Sequence, residues 1–336
     1  MKTAVIGAGA IGALAAGYLK DKGRDVVLIA HPAAQEAINK NGLKISGARG
    51  DFSININAAL SLNSAVDLAI LAVKTQDVEA AIKENLGFLR QAIVLTAQNG
   101  VQADNLLSLY IPREKIITSI VMFGATSLEP GKVVHNFEGG WILGRAFGKN
   151  DADVERVSAL LGEAFKVSVA DDIWGEKYLK IFVNANNCIP AILGVSMQEA
   201  FSDIETAKIS IAIWKEGLDV INKAGIKLVS LPDFPLERLT KLTAMPTPEA
   251  AGIFMVIMKN LSNAPLYGSI LQSIKRGKSS EIDYINGEFV NLAVKFSARA
   301  PLNEKLTQMV HQVEQTHKFF TKEEMQSSVK KVIQLE

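Results

Sequence analysis

A lysine, an asparagine and a cysteine follow one another at four-residue spacing within an apolar stretch of this 336-residue sequence. They are Lys180, Asn184 and Cys188 in "LKIFVNANNC", and on a continuous helix they lie on one face. An apolar environment shifts the pKa of a lysine amine, and such amines transfer protons in catalysis. The pattern allows a catalytic amine at Lys180 and, equally, a lysine that reaches solvent beside the core. For Cys188, a small buried residue is favoured over a reactive thiol.

A carboxylate follows in the second half of the chain, in "SSEIDYINGEF" at residues 279–289. Glu281 stands there beside large apolar residues, twelve positions after Ser269. The apolar residues indicate a helix that packs on a core, and packing alone would explain the segment. The alternative is that Glu281 serves a reaction, whereas its neighbour Asp283 receives no role.

Three glycines near the N-terminus indicate where a second reactant would bind. Gly7, Gly9 and Gly12 form G-x-G-x-x-G between the strand-like "TAVIG" and the helix-compatible "ALAAGYLKDKG". In this arrangement the first glycine allows a tight turn, the second lets the backbone approach a pyrophosphate, and the third lets helix pack on strand. The pattern predicts a dinucleotide-binding site, and the alternative is a glycine-rich turn of an unrelated α/β domain.

The following segments predict an α/β domain built on a parallel sheet with helices on both faces. Buried strands are expected at "DVVLIA" (25–30), "DLAILAV" (67–73), "AIVLTA" (92–97), "KIITSIVMFGA" (115–125) and "WILGR" (141–145), with a helix at 76–89 and an antiparallel edge hairpin around 129–132. Ligands of such sheets bind beyond the carboxyl ends of the strands. His31, Lys74 and Asn99 stand at these ends, unless they are ordinary loop residues.

The residues after the second strand bear on the choice of dinucleotide. NAD enzymes place Asp or Glu there for the ribose 2′-hydroxyl, whereas NADP enzymes favour a cation for the 2′-phosphate. This sequence reads "LIAHPAAQEA", with no acid at the strand end but with His31. We therefore expect NADP, with Lys74 as a second phosphate partner.

From about residue 151 the pattern becomes helical, with a helix expected at 151–165 that still belongs to the first domain and a short strand at 166–172. This predicts a boundary near residue 170, with a Rossmann-type domain at 1–170 and an all-α domain at 171–336. Long apolar helices are expected at 173–193, 205–225 and 252–261. The last two helices offer the surface for a homodimer, which is one option for assembly. No role is assigned to the segment after residue 317.

Composition excludes several other classes of function. Lys plus Arg (36) nearly equals Asp plus Glu (35), so no overall field favours nucleic acid or an anionic membrane. One cysteine and four histidines argue against a disulfide framework and against a metal site. No run reaches the ~18–20 apolar residues of a membrane span, and no secretory leader is visible. We expect a cytoplasmic protein with neither membrane nor nucleic-acid partners.

Taken together, these motifs resemble the ketopantoate reductase (2-dehydropantoate 2-reductase) family from residue 1 to about residue 315. The matching pieces are "GAGAIG", "VKTQD" (73–77), "QNGV" (98–101), "GATSLEPGKVVH" (124–135), "KIFVNA" (180–185), "SILQSIKRGKSSEIDYINGE" (269–288) and "APLNEKL" (300–306). The resemblance implies an oxidoreductase that uses NADPH to reduce ketopantoate, a small 2-oxo acid, on the route to pantothenate and coenzyme A.

The resemblance also implies a role for each matched residue. Lys180 corresponds to the proton donor, Asn99 touches nicotinamide ribose and substrate, and Glu281 contacts the nicotinamide side of the cofactor; these form the expected catalytic set. Asn184 and Ser269 are expected to bind the substrate, together with Cys188 at the place of the family's second asparagine. The expected cofactor-binding set is Gly7, Ala8, Gly9, Ala10, Ile11, Gly12, His31, Lys74, Asn99, Ala125 and Glu281.

The chain departs from the family mainly at positions expected to surround the far end of the substrate. Asparagine, asparagine and aspartate are usual where this chain has Cys188, Leu266 and Ser273, a further asparagine aligns with Gln198, and an arginine with His31. A lost amide weakens recognition of a hydroxyl. One alternative is therefore a related enzyme for another 2-oxo acid, similar to D-2-hydroxyacid dehydrogenases. The other is a non-catalytic NADPH-binding redox sensor.

Overall fold

The computed structural model describes residues 1–262 and 264–332, and it divides into the units Met1–Trp174 and Gly175–Glu336. The division falls at residue 174, and the domain limit at residue 170 stays a prediction. Each unit is built from a different kind of element, so the two are best taken one at a time.

The first unit contains an eight-stranded sheet with the order β12-β11-β8-β7-β6-β1-β2-β5 and a second, four-stranded sheet with the order β4-β3-β10-β9. The six strands from β8 to β5 run parallel to one another, and β11 runs antiparallel to β8. The strands are β1 Thr3–Ile6, β2 Val26–Ile29, β3 Leu43–Gly47, β4 Phe52–Ile54, β5 Asn57–Ala59, β6 Leu68–Leu71, β7 Ile93–Thr96, β8 Ile116–Val121, β9 Gly124–Glu129, β10 Lys132–Phe137, β11 Gly140–Arg145 and β12 Lys166–Val169.

Apolar side chains cover both faces of the large sheet, as its parallel strands require. Along β1, Val5 belongs to one buried cluster, while Ala4 and Ile6 belong to the cluster on the opposite face. The helices of this unit are α1 Ala10–Asp21, α2 Pro32–Asn41, α3 Val78–Leu89, α4 Gln102–Leu107 and α5 Ala152–Gly162, with 3₁₀ turns at Thr75–Asp77 and Arg113–Lys115. The predicted α/β class with a mostly parallel sheet is thereby confirmed.

The hairpin expected around residues 129–132 exists, but it does not extend the large sheet. Strands β9 and β10 pair antiparallel, and β10 pairs in parallel with β3 to form the second sheet. The edge beside β8 is instead taken by β11 and β12. The short strands β3, β4 and β5 were absent from the prediction, because three to five residues of mixed polarity give no clear alternation.

The second unit is helical, which agrees with the all-α prediction. Between residues 175 and 332, leaving out residue 263, the only strand-like pairing is an isolated bridge between Leu231 and Phe234. Its elements are α6 Ile173–Ala185, which begins at the unit boundary, α7 Cys188–Leu193, α8 Met197–Ala200, α9 Ile204–Lys223, α10 Leu236–Ala244, α11 Thr247–Lys259, α12 Ser269–Lys275, a 3₁₀ turn Ile282–Tyr284, α13 Asn286–Lys295, α14 Pro301–Thr316 and α15 Lys322–Lys330. In the described part of the chain, no helix has both the length and the apolar character needed to cross a bilayer.

Close packing of α9 holds α6 in place. The rings of Phe182 and Phe289 lie 4.9 Å apart, and a Cβ on Gly217 of α9 would come within 2.8 Å of Phe289 and 3.0 Å of Phe182. The absence of a side chain at Gly217 therefore lets α9 approach both rings. The indole N–H of Trp214 also donates to the carbonyl of Phe182 at 2.8 Å.

The single helix expected at 173–193 is instead two helices. Helix α6 ends at Ala185 and α7 begins at Cys188, with Asn186 and Asn187 in the turn between them. Pro190 explains the break, because its ring lacks the N–H that a continuous helix would need four residues after Asn186 and clashes with that carbonyl. Lys180 and Asn184 therefore share a helix, while Cys188 belongs to the next one.

A buried histidine in the first unit creates a dependence of stability on pH. His135 of β10 is fully buried, and its Nδ1 lies 2.9 Å from the hydroxyl of Tyr18. The Arg49 guanidinium lies 4.5 Å from the centre of the Tyr18 ring and pairs with Glu138. Burial lowers the pKa of His135, with smaller and opposing effects of Glu138 and Arg49.

We expect the contribution of His135 to the free energy of unfolding to fall as the pH drops below the ordinary histidine pKa of about 6.5. The unfolded chain gains a proton there that folded His135 resists, so up to about 1 kcal/mol should be lost between pH 7 and pH 5.5. Denaturant titrations at both pH values would measure this loss. A His135→Gln variant should lose less over the same interval, and an equal loss in both proteins would contradict the assignment.

Candidate active site

Two of the three N-terminal glycines are required by the protein itself. Gly7 has a positive φ of 112°, and a Cβ there would lie 2.7 Å from the Val73 nitrogen. A Cβ on Gly12 would lie only 1.9 Å from the Gly7 carbonyl oxygen. These glycines let α1 pack tightly against the turn after β1 and the end of β6.

Gly9 differs, because nothing in the protein requires a glycine there. It is exposed, its φ of −74° suits any residue, and a Cβ would meet no protein atom within 4 Å. The open space lies at the N-terminus of α1, which has neither a side-chain cap nor an acid in its first turn. Backbone N–H groups and the helix dipole favour an anion at such a terminus. The loop with Ala8, Ala10 and Ile11, all partly exposed, thus fits a dinucleotide pyrophosphate.

Lys74 and Asn99 follow the neighbouring parallel strands β6 and β7, so both stand at the same edge of the sheet. Both are partly exposed. The Nε2 of buried Gln98 donates to the carbonyls of Leu71 and Val73 at 2.8 and 2.9 Å. This amide ties the loop of Asn99 to the loop of Lys74. Gln98 was not among the predicted site residues, although a glutamine two residues after a buried strand was a signal that could have found it.

His31 and Ala125 flank α1 and the glycine loop in the same unit. His31 is exposed after β2 and directly precedes α2, whose first turn contains Pro32 and no acid. Ala125 lies on β9, the strand that packs against α1, and is partly buried. The structure thus places the expected cofactor-binding residues of the first unit at the N-terminus of α1, after strands β2, β6 and β7, and, for Ala125, on β9.

In the second unit, Lys180 lies on the accessible strip of α6. Between Leu179 and Pro190, only Lys180, Val183 and Asn184 are more than marginally exposed, at the spacing of one helical face. Burial lowers the pKa of the Lys180 amine to about 8, against a smaller raising effect of Asp233. In the described part of the chain this amine makes no hydrogen bond or ion pair, so it is held by packing alone.

Glu281 is held by its neighbours in sequence. It is partly buried and directly precedes the 3₁₀ turn Ile282–Tyr284, while Ser269 is exposed as the first residue of α12. The N–H of Ser280 donates to Glu314 at 2.7 Å, and Asp283 accepts from His311 at 2.9 Å. The segment around Glu281 is therefore fastened to α14 on both sides.

His311, which contacts Asp283, favours its charged form. His311 also contacts Glu314 through Nδ1 at 3.0 Å. Burial alone would lower the pKa of His311, but the hydrogen bonds to Asp283 and Glu314 outweigh burial and raise it. This pairing explains Asp283, which the sequence analysis left without a role.

Cys188 lies in the core. It is fully buried, and burial raises the pKa of its thiol to about 12, with a small opposing effect of a hydrogen bond from Asn286 of α13. Its side chain is thus enclosed beside Asn286, whereas Lys180 and Asn184 remain accessible. Contact between Cys188 and a substrate stays a prediction.

A mostly parallel sheet with a G-x-G-x-x-G loop, followed by a helical unit with a partly buried lysine of lowered pKa, is the arrangement expected of a nicotinamide-dependent oxidoreductase. Comparison with protein families gives the same answer: residues 3–147 match the family described as "Ketopantoate reductase PanE/ApbA", and residues 172–314 match its C-terminal counterpart. The chain belongs to the ketopantoate reductase family, as the sequence motifs predicted.

Relatives and solved structures agree with this membership. The chain is 34% identical over 314 residues to a 2-dehydropantoate 2-reductase of Pyrococcus horikoshii, covering 92% of this chain and 96% of the relative. It is 29% identical to the enzyme of the same name from Pyrococcus abyssi, with coverages of 90% and 94%. Among solved structures, D-mandelate dehydrogenase with NADH and anilino(oxo)acetate has a TM-score of 0.82 at 25% identity, covering 94% of this chain and 99% of that one.

Gly9 and Gly12 provide a matched pair of substitutions. Gly9→Ala should leave the melting temperature nearly unchanged yet weaken NADPH binding by roughly tenfold or more, because the new methyl group occupies only the ligand's space. Gly12→Ala should lower the melting temperature by roughly 5 °C, since its methyl group collides with the Gly7 carbonyl. Thermal unfolding and fluorescence titration with NADPH would separate the two effects. Unchanged NADPH affinity in Gly9→Ala would count against the pyrophosphate site.

Proposed function

We propose that this enzyme uses NADPH to reduce ketopantoate (2-dehydropantoate) to pantoate. The main support for this reaction is the Lys180 amine on the accessible strip of α6, whose pKa is lowered to about 8. The 2-dehydropantoate 2-reductase that is 34% identical over most of both chains supports this substrate.

Lys180 acts as the general acid of the reaction. When bound, the reduced nicotinamide supplies a hydride to the C2 carbonyl carbon, so negative charge develops on the carbonyl oxygen. The Lys180 ammonium donates a hydrogen bond to that oxygen, stabilises the charge and then gives up its proton. With a pKa of about 8 the amine is mostly protonated at neutral pH, yet it releases a proton more readily than an ordinary lysine.

The remaining site residues orient the reactants. Asn184 stands one helical turn after Lys180, where its amide is able to hold the substrate without changing the charge of the site. The exposed hydroxyl of Ser269 donates a hydrogen bond to the carboxylate of the oxo acid. Asn99 and Glu281 are assigned to the nicotinamide side by their match to the family motifs "QNGV" and "SSEIDYINGE".

NADPH is proposed over NADH because of the segment after β2. Exposed His31 and the acid-free first turn of α2 leave no carboxylate to bind a ribose 2′-hydroxyl or to repel a 2′-phosphate. Lys74 follows β6, which β1 separates from β2 in the sheet, and adds a positive charge at the same edge.

A second candidate is the reduction of an aromatic 2-oxo acid with NADH. The structural likeness to D-mandelate dehydrogenase with NADH favours it, and so do the apolar residues Cys188 and Leu266 in place of asparagines. A panel of 2-oxo acids assayed with each cofactor separates the two candidates. NADPH binding without turnover of any acid would instead favour the redox sensor.

Activity should depend on the protonation of Lys180. Because reduction requires the ammonium form, kcat/KM should hold below pH 8 and fall as the pH rises through about 8. Lys180→Ala should lower kcat by about 10²–10⁴-fold and abolish this dependence. The pH profile of NADPH oxidation would test both points.

Titration with NADPH provides the control, since Lys180→Ala should bind the cofactor normally. A variant with near-normal turnover and intact cofactor binding would show that the proton comes from elsewhere.

Cofactor choice can be tested at His31. A carboxylate introduced by His31→Glu should repel the 2′-phosphate and suit the 2′-hydroxyl, shifting the ratio of kcat/KM for NADPH over NADH towards NADH by roughly tenfold. Steady-state kinetics with both cofactors would measure the ratio, and NADH serves as the internal control for damage to the fold. An unchanged ratio would place the 2′-phosphate away from His31.

A further inference from the structure

At three of the positions where this chain departs from its family, the side chain already contacts other residues of the second unit. Cys188 is enclosed beside Asn286. The hydroxyl of Ser273 donates to the Ser269 carbonyl at 2.9 Å. Gln198 donates to the carbonyls of residues 262 and 264 at 3.2 and 3.0 Å and accepts from the N–H of Leu266 at 3.0 Å. Cys188 and Ser273 carry no amide, and the amide of Gln198 is already hydrogen-bonded, so none of the three provides an amide for a substrate.

Asn187, directly before Cys188, has such an amide. Its residue is only 8% exposed, and within the described ranges 1–262 and 264–332 its carboxamide makes no hydrogen bond. The polar atoms of this carboxamide are not fully enclosed, so water can reach them, and a ligand hydroxyl that pairs with the amide takes the place of that water.

Asn187 lies in the turn between α6 and α7, on the same side as Lys180. Its backbone stays helical at φ −66° and ψ −16°, and its N–H donates to the Asn184 carbonyl at 2.9 Å. Asn187 is therefore seven residues after Lys180 and three after Asn184 in a nearly helical path, so the three share one face. Of the two asparagines on this face, Asn187 stands farther along the chain from Lys180, seven residues against four.

Asn187 also borders the segment that carries Ser269. A Cβ on Gly268 would lie 3.1 Å from Cγ of Asn187 and 3.4 Å from its Oδ1. The carboxamide thus packs on the backbone immediately before Ser269. Asn187 therefore stands between the helical face of Lys180 and Asn184 and the segment that carries Ser269.

Neighbouring Asn186 does not fit the same role. Both of its side-chain polar atoms are enclosed without a hydrogen-bond partner, so no ligand reaches them without rearrangement. Asn187 retains accessible surface.

We infer that the carboxamide of Asn187 binds the hydroxyl at the end of the substrate opposite the oxo acid group, and thereby selects a 4-hydroxylated 2-oxo acid over its deoxy counterpart. A neutral amide both donates and accepts, which matches a hydroxyl, whereas a carboxylate only accepts. The inference rests on the proposed function and adds to it the residue that recognises the hydroxyl.

Two substrates that differ by one hydroxyl provide the test: ketopantoate and 3,3-dimethyl-2-oxobutanoate, each with NADPH. The wild type should prefer ketopantoate. In Asn187→Ala, kcat/KM for ketopantoate should fall roughly 30–300-fold, while that for the deoxy acid should change by less than about threefold. An equal loss for both acids would overturn the inference, because it would indicate a general effect on the fold or on Lys180.

Asn187→Leu provides a second variant that fills nearly the same volume, so that packing against Gly268 is kept. It should lose ketopantoate to the same degree and keep or improve the deoxy acid. Melting temperature and NADPH titration check that each variant is folded. A wild type that reduces neither acid would overturn the proposed function together with this inference, whereas a wild type that prefers ketopantoate with variants that retain this preference would overturn the inference alone.

Discussion

The approach of α1 to the carboxyl ends of β1 and β6 sets the geometry of the whole first unit. It is closer than side chains permit, since even a methyl group on Gly12 would overlap the Gly7 carbonyl. This approach puts the start of a helix, with its N–H groups, over the edge where parallel strands end. The same edge carries Lys74 and Asn99, and the Gln98 amide holds their loops together. The loop proposed for the pyrophosphate and the loops of Lys74 and Asn99 thus lie at the edge where this tight contact occurs.

In the second unit, burial rather than an ion pair sets the pKa of the Lys180 amine. Helix α6 is held by α9 through Gly217 and by the aromatic pair Phe182–Phe289, so Lys180 lies on a rigid element. No carboxylate pairs with this amine among the described residues, and that allows burial to dominate its pKa. A close ion pair would have raised the pKa and made the ammonium a weaker acid.

Much of this could be predicted from the sequence, and the physical reason is visible in each case. Strands β1, β2, β6 and β7 are buried on both faces and so appear as continuous apolar runs. The lysine–asparagine pair lies within one helix, and the glycine loop joins a strand directly to the next helix, so in both cases short spacing in sequence determines spacing in space.

What could not be predicted depends on contacts between distant segments. The second sheet needs β3 to pair with β10, about ninety residues later, and no local pattern encodes that pairing. The attachment of Asp283 to His311 is likewise invisible before the fold is known. The break before Cys188 could have been read from Pro190, and the apolar composition around it concealed the signal.

The enclosure of Cys188 gives the protein a built-in reporter of its own opening. Thiol reagents attack the thiolate, and a fully buried sulfur with a pKa of about 12 presents almost none at neutral pH. Because it is the chain's sole cysteine, alkylation can proceed only when α7 separates from its neighbours. The rate of labelling therefore measures how often the helical unit opens, and its slowing by added ligands would rank how strongly each one closes it.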